Sequence, residues 1–207
     1  MRITVNEQGL LEQLVFRTVL NAFSRPSEIF TLPGDELLQE RFGPKSWPLL
    51  ILSSFLVPET KVCIALQDHS ESDEMTDFIA RKTGAIPASV EEADFVVLFE
   101  GDQEKLLRAK RGKLEYPDEG ATVIYSIDAL DPLTPNPENN LLKIRLQGPG
   151  IEHNCCLTMT GIQSEAISCL RKVNQDFPLG VDVLLVDSRG FIAGVPRSAN
   201  ITILGEE

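Results

Sequence analysis

The chain has 207 residues, a formal net charge of −12, 43% hydrophobic residues and 24% charged residues. A chain of this length fits one domain and can bury roughly 70% of its unfolded surface, so a core forms without disulfide or metal staples. The acidity argues against nucleic acid as the main partner, because capture of a phosphate backbone needs clustered Lys and Arg. Its plain reading is solubility, although a few converging arginines can still reverse the local field for a small anion.

Residues Glu7 to Ser24 are predicted to form an amphipathic helix, with Leu10, Leu11, Leu14, Val15, Thr18, Val19 and Ala22 at three- and four-residue spacing. Asn6 is the expected N-cap and Arg25-Pro26 the stop. A loop with breakers at Pro33-Gly34 and Gly43-Pro44 leads to Ser46-Trp47-Pro48, read as a capped first turn. The helix it opens, Leu49 to Leu56, is apolar nearly all round and is stopped by Val57-Pro58. Val62 to Leu66 is a strand, and Ser72 caps a helix running to Lys82. Phe95 to Phe99 is an unbroken apolar run, the pattern of a strand covered on both faces, a short basic helix follows from Glu104 to about Arg111, and Ala121 to Ser126 is another buried strand.

Asp128 to Asn140 contains three prolines and reads as a long, stiff surface loop. Leu142, Ile144 and Leu146 alternate with Lys143, Arg145 and Gln147, so that strand is covered on one face. Cys155 to Thr160 is a further strand, and Ser164 opens a helix with Ile167, Leu170 and Val173 inward. Val181 to Val186 is the most hydrophobic strand, and Asp187-Ser188-Arg189-Gly190 turns it into a hairpin with Phe191 to Val195. These elements predict an α/β fold with a mixed sheet flanked by helices on both faces, in a single domain over 1–207.

The sequence contains no GxGxxG, P-loop, GxSxG or HExxH. Cys63, Cys155, Cys156 and Cys169 form no CxxC pair, and His69 and His153 are the only histidines, so no metal site is expected. Unpaired cysteines in apolar stretches suggest a reducing cytoplasm. The start of the chain lacks a basic-then-apolar leader, and no run is long enough to cross a bilayer. His153 beside Cys155 is a poor nucleophile setting, since alternate residues on one strand seldom align a thiol with an imidazole.

No catalytic residue is assigned. The candidates for binding a ligand or partner are Arg17, Arg25, Arg145 and Arg197, whose planar forks suit carboxylate and phosphate, together with Gly148 and Gly150 of a Gly-Pro-Gly turn. Pro26, Pro178, Gly180 and Pro196 are read as structural. So is Asp182, a carboxylate in an apolar strand that has to be hydrogen-bonded or paired.

The chain resembles the PhnH family of bacterial carbon–phosphorus lyase subunits. The resemblance rests on Phe16-Arg17, Ser24-Arg25-Pro26, Ala93-Asp94-Phe95, Gly120-Ala121-Thr122-Val123-Ile124, Leu146-Gln147-Gly148-Pro149-Gly150-Ile151, Phe177-Pro178-Leu179-Gly180-Val181-Asp182 and Val195-Pro196-Arg197-Ser198. Ser27 stands where the family pattern has glycine, and Ala199 where it has a second hydroxyl. The resemblance implies a fold similar to the large domain of pyridoxal-phosphate-dependent transferases but without that cofactor. It also implies a homodimer that joins the other core subunits in the cytoplasm. The complex would form ribose 1-phosphonate 5-triphosphate from ATP and an alkylphosphonate, with its iron–sulfur chemistry on other subunits. On this reading the chain is a non-catalytic or site-completing subunit without a cofactor of its own, contacting no nucleic acid or membrane. The alternative is a stand-alone binder or enzyme for an anionic nucleotide or phosphonate in an arginine-lined cleft.

Overall fold

The computed structural model describes residues 5–26, 28–99, 101, 103–131, 141–149, 151 and 155–205. The first elements are α1 (Val5–Ser24), β1 (Phe30–Thr31), α2 (Glu36–Phe42), α3 (Ser46–Phe55), β2 (Lys61–Ala65) and α4 (His69–Thr83). Next come β3 (Ile86–Pro87), β4 (Phe95–Leu98), α5 (Gln103–Leu106), β5 (Thr122–Ile127) and β6 (Ala129–Leu130). The last elements are β7 (Leu142–Gln147), β8 (Cys155–Thr160), α6 (Ser164–Val173), β9 (Asp182–Asp187), β10 (Phe191–Val195) and β11 (Asn200–Leu204).

Seven strands form a mixed sheet in the order β1-β10-β9-β5-β4-β2-β3. β3, β2, β4, β5 and β9 are parallel, whereas β10 turns back antiparallel on β9 and β1 lies antiparallel to β10. The unbroken apolar runs follow from burial on both faces. Ile124, Leu184 and Val186 pack under α1, α3 and α4. Their neighbours Val123, Tyr125, Val183 and Leu185 pack on the other side, against α5 and α6.

The expected single sheet is in fact two. β11, β7, β8 and β6 make a separate four-stranded antiparallel sheet. On β7, Leu142, Ile144 and Leu146 are buried, while Lys143 and Gln147 are exposed. A strand with one apolar face builds an outer layer, and this one closes the core beside α6.

Other elements differ from the sequence reading in detail. α1 starts at Val5, so Asn6 lies inside the helix. The loop before Ser46 holds β1 and α2, with Asp35 capping α2 through the Leu38 N–H. Ser46 does not cap α3; it is buried and its hydroxyl has no partner. Asp68 rather than Ser72 caps α4, accepting from the Ser70 and Glu71 N–H groups, while the Ser72 hydroxyl donates to the Ile64 carbonyl. An ionised carboxylate is the stronger acceptor at a helix start. The proposed loop at 128–140 begins with β6, which pairs with β8; residues 132–140 lie outside the described residues.

Both ends of β9 carry an aspartate held by an arginine. Asp182 meets Arg197, and Asp187 meets Arg189. Asp187 also accepts from the N–H groups of Arg189, Phe191 and Leu130, which fastens β6 of the outer sheet to the main sheet.

Candidate functional site

The carboxyl ends of β2, β4, β5 and β9 open into a crevice of about 720 Å³. Open α/β sheets commonly bind ligands at this edge. Its walls include Lys45, Gln67, Asp68, Glu71, Phe99, Ser126, Asp128, Gln163 and Ser188. Lys45 is engaged by Glu71 in a close ion pair, and the Asp68 carboxylate is the cap of α4. The Ser188 hydroxyl donates to the Asp128 carbonyl at 2.9 Å. Three carboxylates against one ammonium leave a negative field, which disfavours a phosphonate or triphosphate here. Among the described residues, no group of three His, Cys, Asp or Glu side chains is placed to hold a metal ion.

The four arginines do not converge on this crevice or on one another. Arg17 is exposed on α1. Arg25 pairs with Glu28 at 3.1 Å and lies over the Phe30 ring. Arg145 sits on the outer face of β7. Arg197 lies at the opposite end of β9 from the crevice, gripping Asp182 and donating to the Pro117 carbonyl at 2.6 Å. Its fork is therefore committed within the chain.

The turn residues have local duties. A Cβ on Gly148 would stand 2.9 Å from the Ser198 carbonyl and 3.3 Å from the Ala199 Cα, so glycine lets the start of β11 pass close by. Gly150 lies outside the described residues, as do Ser27 and His153. Gly180 packs against Asn174, whose amide accepts from the Val181 N–H at 2.8 Å and donates to the Val181 carbonyl at 3.0 Å. Pro178 follows Phe177 through a cis peptide bond, and Pro26 is buried at the end of α1. Pro196 lines an apolar groove of about 320 Å³, with Phe23 of α1, Phe55 of α3 and Phe95 of β4 among the other walls.

Beside that groove, α1 presents an apolar surface to solvent. Leu10, Leu14, Phe16 and Leu20 are 58%, 44%, 41% and 49% exposed, while Val15, Val19 and Ala22 face the core. Leu10 and Leu14 thus point away from the interior assigned to them by spacing. Arg17 stands among these side chains without an ion pair or side-chain hydrogen bond among the described residues. Gly9 has open space where its side chain would be. The sequence carried a signal for this face: Phe16 and Leu20 widen the apolar arc beyond what one buried face needs.

The architecture is that of an α/β protein with a mixed sheet between helical layers and an outer antiparallel sheet. The chain belongs to the family of bacterial phosphonate metabolism proteins PhnH, whose pattern it matches over residues 6–202. It is 32% identical over 200 residues to the putative C-P lyase subunit protein HtxG of Stutzerimonas stutzeri, which covers 96% of this chain and 89% of that protein. Among the described residues, no helix is long and apolar enough to cross a membrane.

Proposed function

We propose that this chain is a docking subunit of a carbon–phosphorus lyase complex, completing or shaping a site built with other subunits and catalysing no reaction alone. Family membership and the likeness to HtxG support the setting. The observation that carries the docking role is the exposed apolar face of α1 with Arg17 in its midst. Clustered, rim-bounded apolar surface of this kind is typical of interaction sites. Arginine amid leucine and phenylalanine has the make-up of an interface anchor, its fork pairing with a partner carboxylate as the surrounding side chains exclude water. Gly9 costs helix stability and nothing among the described residues requires it, which favours close approach by a neighbour there.

In this role the protein is a cytoplasmic, single-domain, transferase-like body that also pairs with itself. It serves the assembly that exchanges the adenine of ATP for an alkylphosphonate, forming ribose 1-phosphonate 5-triphosphate and releasing adenine. The test is co-purification from cells grown on a phosphonate. The tagged chain should recover the other core subunits. Leu14→Asp with Leu20→Asp should abolish recovery and leave the melting temperature within a few degrees of the parent. Unchanged recovery by the double variant, or turnover of ATP and methylphosphonate by the isolated chain, overturns the reading.

A further inference from the structure

We propose that the solvent face of the outer sheet binds a phosphoryl-type oxyanion, with Arg145 and Lys143 as its cations. The site is separate from α1 and does not depend on the docking role. β7 is the second strand of that sheet, flanked by β11 and β8. Residues directly opposite on neighbouring strands share a face. One cross-strand row is therefore Thr202, Arg145 and Cys156, and the next is Leu204, Lys143 and Thr158. Lys143, Cys156 and Thr202 are exposed, and Arg145 and Thr158 are half-buried.

Two observations single this face out. The Arg145 Nε is buried yet has no hydrogen-bond partner, and no salt bridge of the described chain reaches Arg145 or Lys143. In a chain with 31 acidic and 19 basic residues, two neighbouring cations without a carboxylate partner among the described residues are unexpected. A guanidinium Nε–H removed from water and unanswered is costly, and a ligand oxygen would satisfy it.

The donor set selects the anion. A carboxylate has two oxygens, and the arginine fork alone fills them. Here the fork is joined by an ammonium two residues along the strand, about 7 Å away at the backbone, and by the hydroxyls of Thr158 and Thr202 in the adjoining rows. Side chains placed so have the reach to meet on one group with three terminal oxygens and a charge near −2, as in a phosphate ester, polyphosphate or phosphonate. The carboxylate-rich crevice at the end of the main sheet offers nothing comparable.

The experiment uses the full chain and inorganic tripolyphosphate, followed by amide NMR shifts and calorimetry. Shifts should be confined to 142–147, 155–160 and 200–204. Arg145→Gln with Lys143→Gln should weaken binding by at least about tenfold, while Arg81→Gln on α4 should leave it unchanged. Citrate should bind at least about tenfold more weakly than tripolyphosphate, and tripolyphosphate should slow labelling of Cys156 by a thiol reagent. The shift map of the unaltered chain decides the matter even if the double variant folds poorly. Shifts centred elsewhere, equal affinity in a folded double variant, equal binding of citrate, or no binding at millimolar tripolyphosphate would each overturn the proposal.

Discussion

Arg197 closes on Asp182 from fifteen residues away: its Nη2 and Nε lie 2.6 Å and 3.0 Å from one carboxylate oxygen, and its backbone N–H donates to the other at 2.8 Å. The same guanidinium reaches the carbonyls of Pro117 and Gly120, so one side chain joins the end of β10, the start of β9 and the turn before β5. The two side chains are only 14% and 28% exposed. Removing one partner would strand a shielded charge, which is the costly way to break such a pair.

Arg197→Ala and Asp182→Ala should therefore each lower stability by about 3 kcal/mol. Urea unfolding should give a coupling of at least about 1 kcal/mol in the double-mutant cycle. Arg197→Lys should recover little, because an ammonium cannot reproduce the fork. Tripolyphosphate affinity should be unaffected in folded variants; a loss confined to Arg197 would return it to the ligand-contacting role suggested by its sequence.

Gly194 sits where β10 meets the end of α1. A Cβ there would collide with the backbone of Ala22 and come within 2.9 Å of the Phe23 nitrogen. Helix and strand backbone cannot yield as a side chain can, so Gly194→Ala should cost about 2 kcal/mol. It should also push α1 outward, weakening recovery of partner subunits. A variant as stable as the parent by thermal melting would show that this contact is looser than described.

Asp94 should contribute to acid sensitivity. Burial pushes its carboxyl up, but hydrogen bonds from the Lys110 ammonium and the Lys61 N–H outweigh that, and the result lies below the ordinary Asp value. A depressed folded-state pKa means the stabilisation is complete above the unfolded-state pKa and fades as pH falls through the folded one. Asp94→Asn should thus destabilise at neutral pH, and the gap from the parent should narrow as pH falls below the ordinary Asp value. Parallel stability curves down to pH 2 would refute this.

The cysteines should differ in reactivity. Cys156 is exposed on β8, whereas Cys169 is half-buried and burial holds its thiol above the usual range. A thiol reagent at neutral pH should modify Cys156 first and Cys169 slowly. Peptide mapping after brief labelling checks the order, and Cys156→Ser should remove the fast phase.

Much of the framework was legible in the sequence because burial leaves a mark. β4, β5 and β9 announced themselves as stretches dominated by apolar residues, and α6 by Ile167, Leu170 and Val173 at helical spacing. β1 and β3 have two residues each, too few for any periodicity to register. β11 is an edge strand with an exposed Thr202 between Ile201 and Ile203, and a short alternation like that is easily taken for a tail. The need for a partner at Asp182 was readable from its apolar surroundings, but the partner itself was not, since spacing along the chain does not fix tertiary neighbours. For the same reason four arginines could be picked out singly, while their dispersal over separate surfaces became visible only in three dimensions.

β9 shows what its two end clasps accomplish. From Val183 to Val186 every side chain is aliphatic and buried, whichever way it points. Sliding such a strand by a residue or two along β5 would exchange one hydrocarbon for another, so oily contacts alone define its alignment poorly. The acidic termini supply the missing ruler: any slip would carry one carboxylate into hydrocarbon and draw the other away from its guanidinium. A strand that is featureless in the middle is thereby held in a single frame by polar locks at its two tips.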